Sequence, residues 1–122
     1  MVIPRTHLVI STNADLLRIN IRQILYFKSD GNYCTLFLVG GEIRMITYQL
    51  GQVEKMIAAQ LPELSNTFVR IGRSYIVNLH YVYYINPSKQ LLLLSDTQQG
   101  RYTLNASRDA LVALKEAIES KL

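Results

Sequence analysis

Three short segments gather side chains suited to gripping a polyanion. They are Lys28-Ser29-Asp30-Gly31-Asn32-Tyr33, Arg70-Ile71-Gly72-Arg73-Ser74-Tyr75 and Asn105-Ala106-Ser107-Arg108. Each combines a turn with a cation, an amide or a hydroxyl. An arginine fork matches the two acceptors of a guanine edge, and an asparagine amide matches adenine. Serine hydroxyls and helix N-terminal amides suit phosphate oxygens. Taken singly, each segment also reads as a solvated turn. Arg70, in an alternating run, reads equally as a stem lying along a sheet edge with its head in water.

Reaction chemistry finds no comparable cluster. The two histidines, His7 and His80, are far apart and have no carboxylate at metal-ligand spacing, so neither a metal nor another cofactor is expected. Gly72-Arg73-Ser74-Tyr75-Ile76 lacks the second glycine of a nucleophile elbow. No phosphate-cradling glycine loop or dinucleotide fingerprint occurs. Cys34 falls inside a β-rich run, where it reads as a small buried hydrophobe. The expectation is a protein that is not an enzyme. Helix-turn-helix, zinc-finger and basic-region patterns are also missing, and the helical stretch Gln49 to Gln60 sets Glu54 against Lys55. Any contact with nucleic acid therefore falls to loops or strand ends.

Composition bounds the rest. At 122 residues, 49% apolar and 18% charged, the sequence reads as one globular domain over 1–122 and excludes a disordered tail. One cysteine excludes an intramolecular disulfide and a cysteine zinc cluster, and fits a reducing compartment. No apolar run reaches the ~18 residues of a membrane span, and the start lacks an apolar signal core, so a cytoplasmic location is expected. Thirteen Lys and Arg against nine Asp and Glu leave a formal charge of +4. That balance favours a polyanionic partner without demanding one.

The elements that must position these segments are mostly strands. His7 to Ser11 is β-rich, Asn13-Ala14-Asp15 turns, and Leu17, Ile19 and Ile21 alternate with Arg18, Asn20 and Arg22 as a half-buried strand. Ile24 to Ser29 follows, ended by Asp30-Gly31-Asn32. Tyr33 to Val39 and Glu42 to Tyr48 flank Gly40-Gly41, which reads as a two-residue hairpin. Leu50, Val53, Met56, Ile57 and Leu61 then share one helical face, stopped by Pro62. Strands return at Thr67 to Ile71, Ser74 to Asn78, Tyr81 to Ile85, Gln90 to Leu94 and Arg101 to Leu104, with turns at Asn86-Pro87-Ser88 and Asp96 to Gly100. Leu111, Leu114 and Ile118 mark a last helix, capped by Ser107 or Asn105. The expected fold is mainly β, with about eight to ten short strands and two helices.

On these residues the sequence resembles the LytTR family of bacterial DNA-binding domains. Ile24 to Tyr33 is similar to the family's I-x-Y-I-E-x-x-G-N-Y stretch, and Phe68 to Asn78 to its F-x-R-I-H-R-S-Y-I-V-N block. Leu104 to Arg108 resembles the I-x-V-S-R before its last helix, and Leu50 to Glu54 falls where the family has S-L-x-x-L-E. The likeness runs from about Leu8 to Leu122. It implies several small antiparallel sheets and binding of double-stranded DNA by loops in successive major grooves, as a transcription regulator. Carried across by motif, Asn32 and Tyr33, Arg73, and Arg108 are the base-reading candidates. Ser74 and Ser107 are phosphate or capping groups, and Lys28 and Arg70 complete the expected DNA-binding set as neighbouring cations. Gly72 stands where the family has His, Lys28 where it has Glu, and Asn105-Ala106 where it has an acidic-apolar pair. Family members commonly follow a receiver domain in two-component response regulators. None is legible here, so the resemblance implies an output domain or a stand-alone regulator, with a second copy as a further partner on adjacent half-sites.

Two other classes compete. A PilZ-like barrel binding a cyclic dinucleotide would use R-x-x-x-R and [D/N]-x-S-x-x-G, but Arg70 and Arg73 are three apart and Ala110 takes the glycine position. A protein–protein module would use Tyr81, Tyr83 and Tyr84, which read more simply as strand packing.

Overall fold

The computed structural model describes residues 6–64, 66–96 and 100–122. Among these residues ten strands form three antiparallel sheets, accompanied by two α-helices. A hairpin pairs β1 (His7–Ser11) with β2 (Leu16–Asn20). Strands β3 (Ile24–Asp30), β4 (Tyr33–Leu38), β5 (Ile43–Ile46), β6 (Phe68–Ile71) and β7 (Tyr75–Asn78) make a five-stranded sheet in the order β5-β4-β3-β7-β6. The third sheet is β10-β9-β8, from β8 (Val82–Asn86), β9 (Leu91–Ser95) and β10 (Arg101–Asn105). Helix α1 (Leu50–Gln60) follows β5, and α2 (Arg108–Glu119) follows β10.

The five-stranded sheet is the middle layer because its strands are apolar on both faces. Ile24, Phe27, Cys34, Leu36 and Ile76 join a core with the β1–β2 hairpin and with Leu50, Val53 and Ile57 of α1. Leu25, Tyr26, Ile71, Tyr75 and Val77 join a second core with Leu92, Leu94 and Leu104 of the third sheet and Leu111 and Leu114 of α2. Tyr26 stacks on Phe37 at 4.3 Å between ring centroids and meets Tyr75 and Tyr102 edge-on. The run Leu91 to Leu94 is therefore a strand, its alternate side chains Leu92 and Leu94 fully buried.

Two details differ from the pattern in the sequence. The alternation predicts a strand through Ile21, yet β2 stops at Asn20. The Asn20 side chain accepts the N–H of Arg22 at 2.9 Å and opens a 3-10 turn over Ile21–Gln23. Asn78 does the same before β8, accepting from His80 at 3.0 Å while its amide donates to the Ile24 carbonyl at 2.9 Å. At Asn20 this local bonding overrides the apolar periodicity, whereas at Asn78 it ends the strand where the sequence pattern also ends it. The loop closed between β4 and β5 by the Leu38–Glu42 bond has three residues rather than two. Leu38 N–H donates to Glu42 at 2.9 Å, enclosing Val39, Gly40 and Gly41, and Val39 N–H turns away to Gln23 at 2.8 Å. Part of the expected turn from Asp96 to Gly100, residues 97–99, lies outside the described residues.

Candidate functional site

The first two segments meet at one end of the middle sheet. Strands β3 and β7 are antiparallel neighbours with Lys28 opposite Tyr75, so the β3–β4 and β6–β7 turns emerge side by side. A backbone bond from Ser29 N–H to the Ser74 carbonyl, 2.7 Å, closes the gap between them. Positive φ angles at Gly31 (66°) and Gly72 (58°) make both turns tight, a conformation that costs any residue with a Cβ. Gly72 is therefore the residue the backbone favours here.

The side chains at this end fall into two groups. Lys28, Arg73 and Ser74 are exposed, and among the described residues the two cations have no hydrogen bond or ion pair. Tyr33 is 46% exposed, a large ring left at the surface beside the turn. Arg70 is different: its Nη1 donates to Glu54 of α1 at 3.0 Å and its Nε to the Gly72 carbonyl at 3.1 Å. That guanidinium braces the β6–β7 turn against α1. Asn32 accepts a long bond, 3.4 Å, from the Gln49 amide just ahead of α1. Glu54 and Gln49 are the contributors that sequence reasoning missed. The spacing of Glu54 marks it only as one polar position on a helix face, and its partner lies across the fold.

The third segment sits in the other layer. Ala106 N–H donates to the Gln90 carbonyl at 3.2 Å, continuing the β9–β10 pairing past Asn105. Ser107 caps α2, its hydroxyl accepting from Ala110 N–H at 3.2 Å, and Arg108 is the first, exposed residue of the helix. Helix α2 packs against β6, the strand that leads into the second segment. No hydrogen bond or ion pair among the described residues joins the third segment to the other two. A helix rather than a ribbon follows Ser107.

The groups considered for reaction chemistry are dispersed. Cys34 is fully buried, and burial pushes its thiol up to about 11, so it stays protonated at neutral pH. His7 bonds to the neighbouring Thr6 hydroxyl, and His80 lies edge-on to Tyr81. No group of three or more metal-ligating side chains occurs among the described residues. Among the described residues no helix is long and apolar enough to cross a membrane. Tyr81 is buried, its hydroxyl donating to the Arg22 carbonyl, while Tyr83 lies exposed under the Arg101 guanidinium at 4.6 Å.

Comparison with known proteins decides the class. The family model of the LytTr DNA-binding domain matches residues 14–119. The chain belongs to the LytTR family. That family is one of DNA-binding domains in transcription regulation and not an enzyme family. Among solved structures, this LytTR chain is similar to the LytTr DNA-binding domain of a protein described as a methyl-accepting/DNA response regulator from Bacillus cereus. The TM-score is 0.64 at 16% identity, covering 93% of this chain and 97% of that one, a likeness of fold. No curated protein matches the chain.

Proposed function

We propose that this LytTR chain, acting as one DNA-binding domain, reads double-stranded DNA with its loops placed in the major groove. Arg73 and Arg108 read base edges, and Asn32 and Tyr33 carry the first loop into an adjacent groove. Lys28 and Ser74 hold phosphates. Ser107 fixes the start of α2 and so the direction of Arg108, and Arg70 holds the second turn in shape. The observation that carries this reading is the joining of the β3–β4 and β6–β7 turns, which sets Lys28 and Arg73, both without an ion pair among the described residues, at one end of the sheet. Cations held in place before contact lose little conformational freedom on binding. As in a response regulator, a phosphorylated receiver elsewhere would govern occupancy, with copies placed on adjacent promoter half-sites.

Selection from a random duplex pool, followed by titration at two salt concentrations, tests this. The expected result is an enriched motif bound about a thousandfold or more tighter than scrambled duplex at physiological salt. Uniform weak binding that disappears as salt rises would reduce the protein to a basic surface and overturn the reading.

A further inference from the structure

Strand β5 ends the middle sheet, so among the described residues no further strand hydrogen-bonds to its outer side. Exposed edges are usually blunted by polar side chains. Strand β10 follows that rule, with Arg101, Thr103 and Asn105 exposed. Strand β5 does not: Ile43 is 58% and Met45 67% exposed, and Ile43 lies directly across from Phe37 of the stacked Tyr26–Phe37 pair. The bond from Leu38 N–H to Glu42 fixes the phase of the β4–β5 ladder. Antiparallel alternation then directs the N–H and C=O of Ile43 and Met45 away from β4, toward the open side.

We propose that this edge pairs with β5 of a second copy, antiparallel, about a two-fold axis through Ile43. Charge selects the occupant and the register. Glu42 and Arg44 flank Ile43 and already lie 3.2 Å apart within one chain. With the axis at Ile43, Ile43 faces Ile43 and each Glu42 faces the other copy's Arg44, twice over. With the axis at Arg44, two arginines face each other, which cross-strand pairing penalises. A shift of one residue sets the backbone groups out of phase. The result is one continuous sheet of ten strands. Because the two β5 strands run in opposite directions, the turns at Gly31 and Gly72 project from opposite ends of the pair. Such a dimer joins two DNA segments, and contiguous half-sites do not need it.

Sedimentation equilibrium of the DNA-free chain tests the contact independently of any DNA reading. The wild type should dimerise with concentration. Glu42→Arg and Arg44→Glu should each weaken the dimer about tenfold or more, and the double exchange E42R/R44E should restore it. All these positions are exposed, and circular dichroism of each variant confirms that it is folded. A chain that stays monomeric to about 1 mM, singles that leave the dimer unchanged, or a double variant no better than the singles would each overturn the proposal.

Discussion

The backbone N–H of Ser29 and the carbonyl of Ser74 lie 2.7 Å apart, joining two hairpins that are distant in sequence. The bond extends the β3–β7 ladder one step beyond Lys28 and Tyr75, to the place where both strands become turns. The exposed cations Lys28 and Arg73 are thereby anchored to one sheet, whose other surfaces are buried in two cores. A neutral pair of backbone groups, rather than a side chain, ties the proposed DNA-facing end together.

Lys28 and Arg70 differ in what binding can recruit from them. Lys28 has no side-chain hydrogen bond or ion pair among the described residues, whereas Arg70 is committed to Glu54 and the Gly72 carbonyl. Removing one phosphate contact lowers the slope of log affinity against log salt by about one. Lys28→Ala should do so while weakening all sequences alike. Arg70→Ala should change the slope less and instead reduce preference for the selected site, because the turn carrying Arg73 loses its brace. Equal slope changes in the two variants, measured by titration at several salt concentrations, would contradict this division.

Gly72 tests the turn without touching a cation. At φ 58° a substituted Cβ meets no heavy atom within 4 Å, so the penalty is that of the backbone conformation alone. Gly72→Ala should cost about 1–2 kcal/mol, and Gly72→Asn less, since Asn tolerates the left-handed region better. Urea midpoints should fall in that order. An alanine variant as stable as the wild type would show that this turn does not hold the left-handed conformation.

Alkaline pH should expose the buried thiol and phenols. Burial raises Cys34 from 9.0 to about 11 and Tyr26 from 10.0 to about 12, and pushes Tyr81 and Tyr102 upward as well. The folded chain therefore holds these protons to higher pH than the unfolded chain does. Stability is full below pH 9 and falls as pH rises, first through the Cys34 window from 9 toward 11 and then through that of Tyr26. Cys34→Ala should lose the part of the decline between pH 9 and 10 where only the thiol of this set titrates. Urea midpoints across that range check it, and an identical slope in the variant would assign the decline elsewhere.

Period and turn chemistry make most of the fold legible. Alternating runs mark strands, the spacing of Leu50, Val53 and Ile57 marks α1, and Ser107 marks the start of α2. The failures share a cause. Asn20 reaches back to its own backbone and breaks a strand whose apolar pattern continues, and Val39 trades a hairpin bond for Gln23. Such choices depend on partners that spacing does not reveal. At the candidate site, residue type points to Arg70 as a ligand-facing cation, but its charge is directed at Glu54 on α1. The free state of Lys28 and Arg73 likewise becomes visible only once every carboxylate near them is located.

The most direct measurement is titration of the selected duplex and a scrambled duplex with the wild type, Arg73→Ala, Arg108→Ala and the double variant. Both side chains are exposed, with no hydrogen bond or ion pair among the described residues, so stability should hardly change. Each single variant should lose about 1–3 kcal/mol of discrimination, each at its own base positions. The double variant should bind both duplexes nearly alike. If both single variants kept the wild-type preference for the selected site, Arg73 and Arg108 would not be the residues that read it.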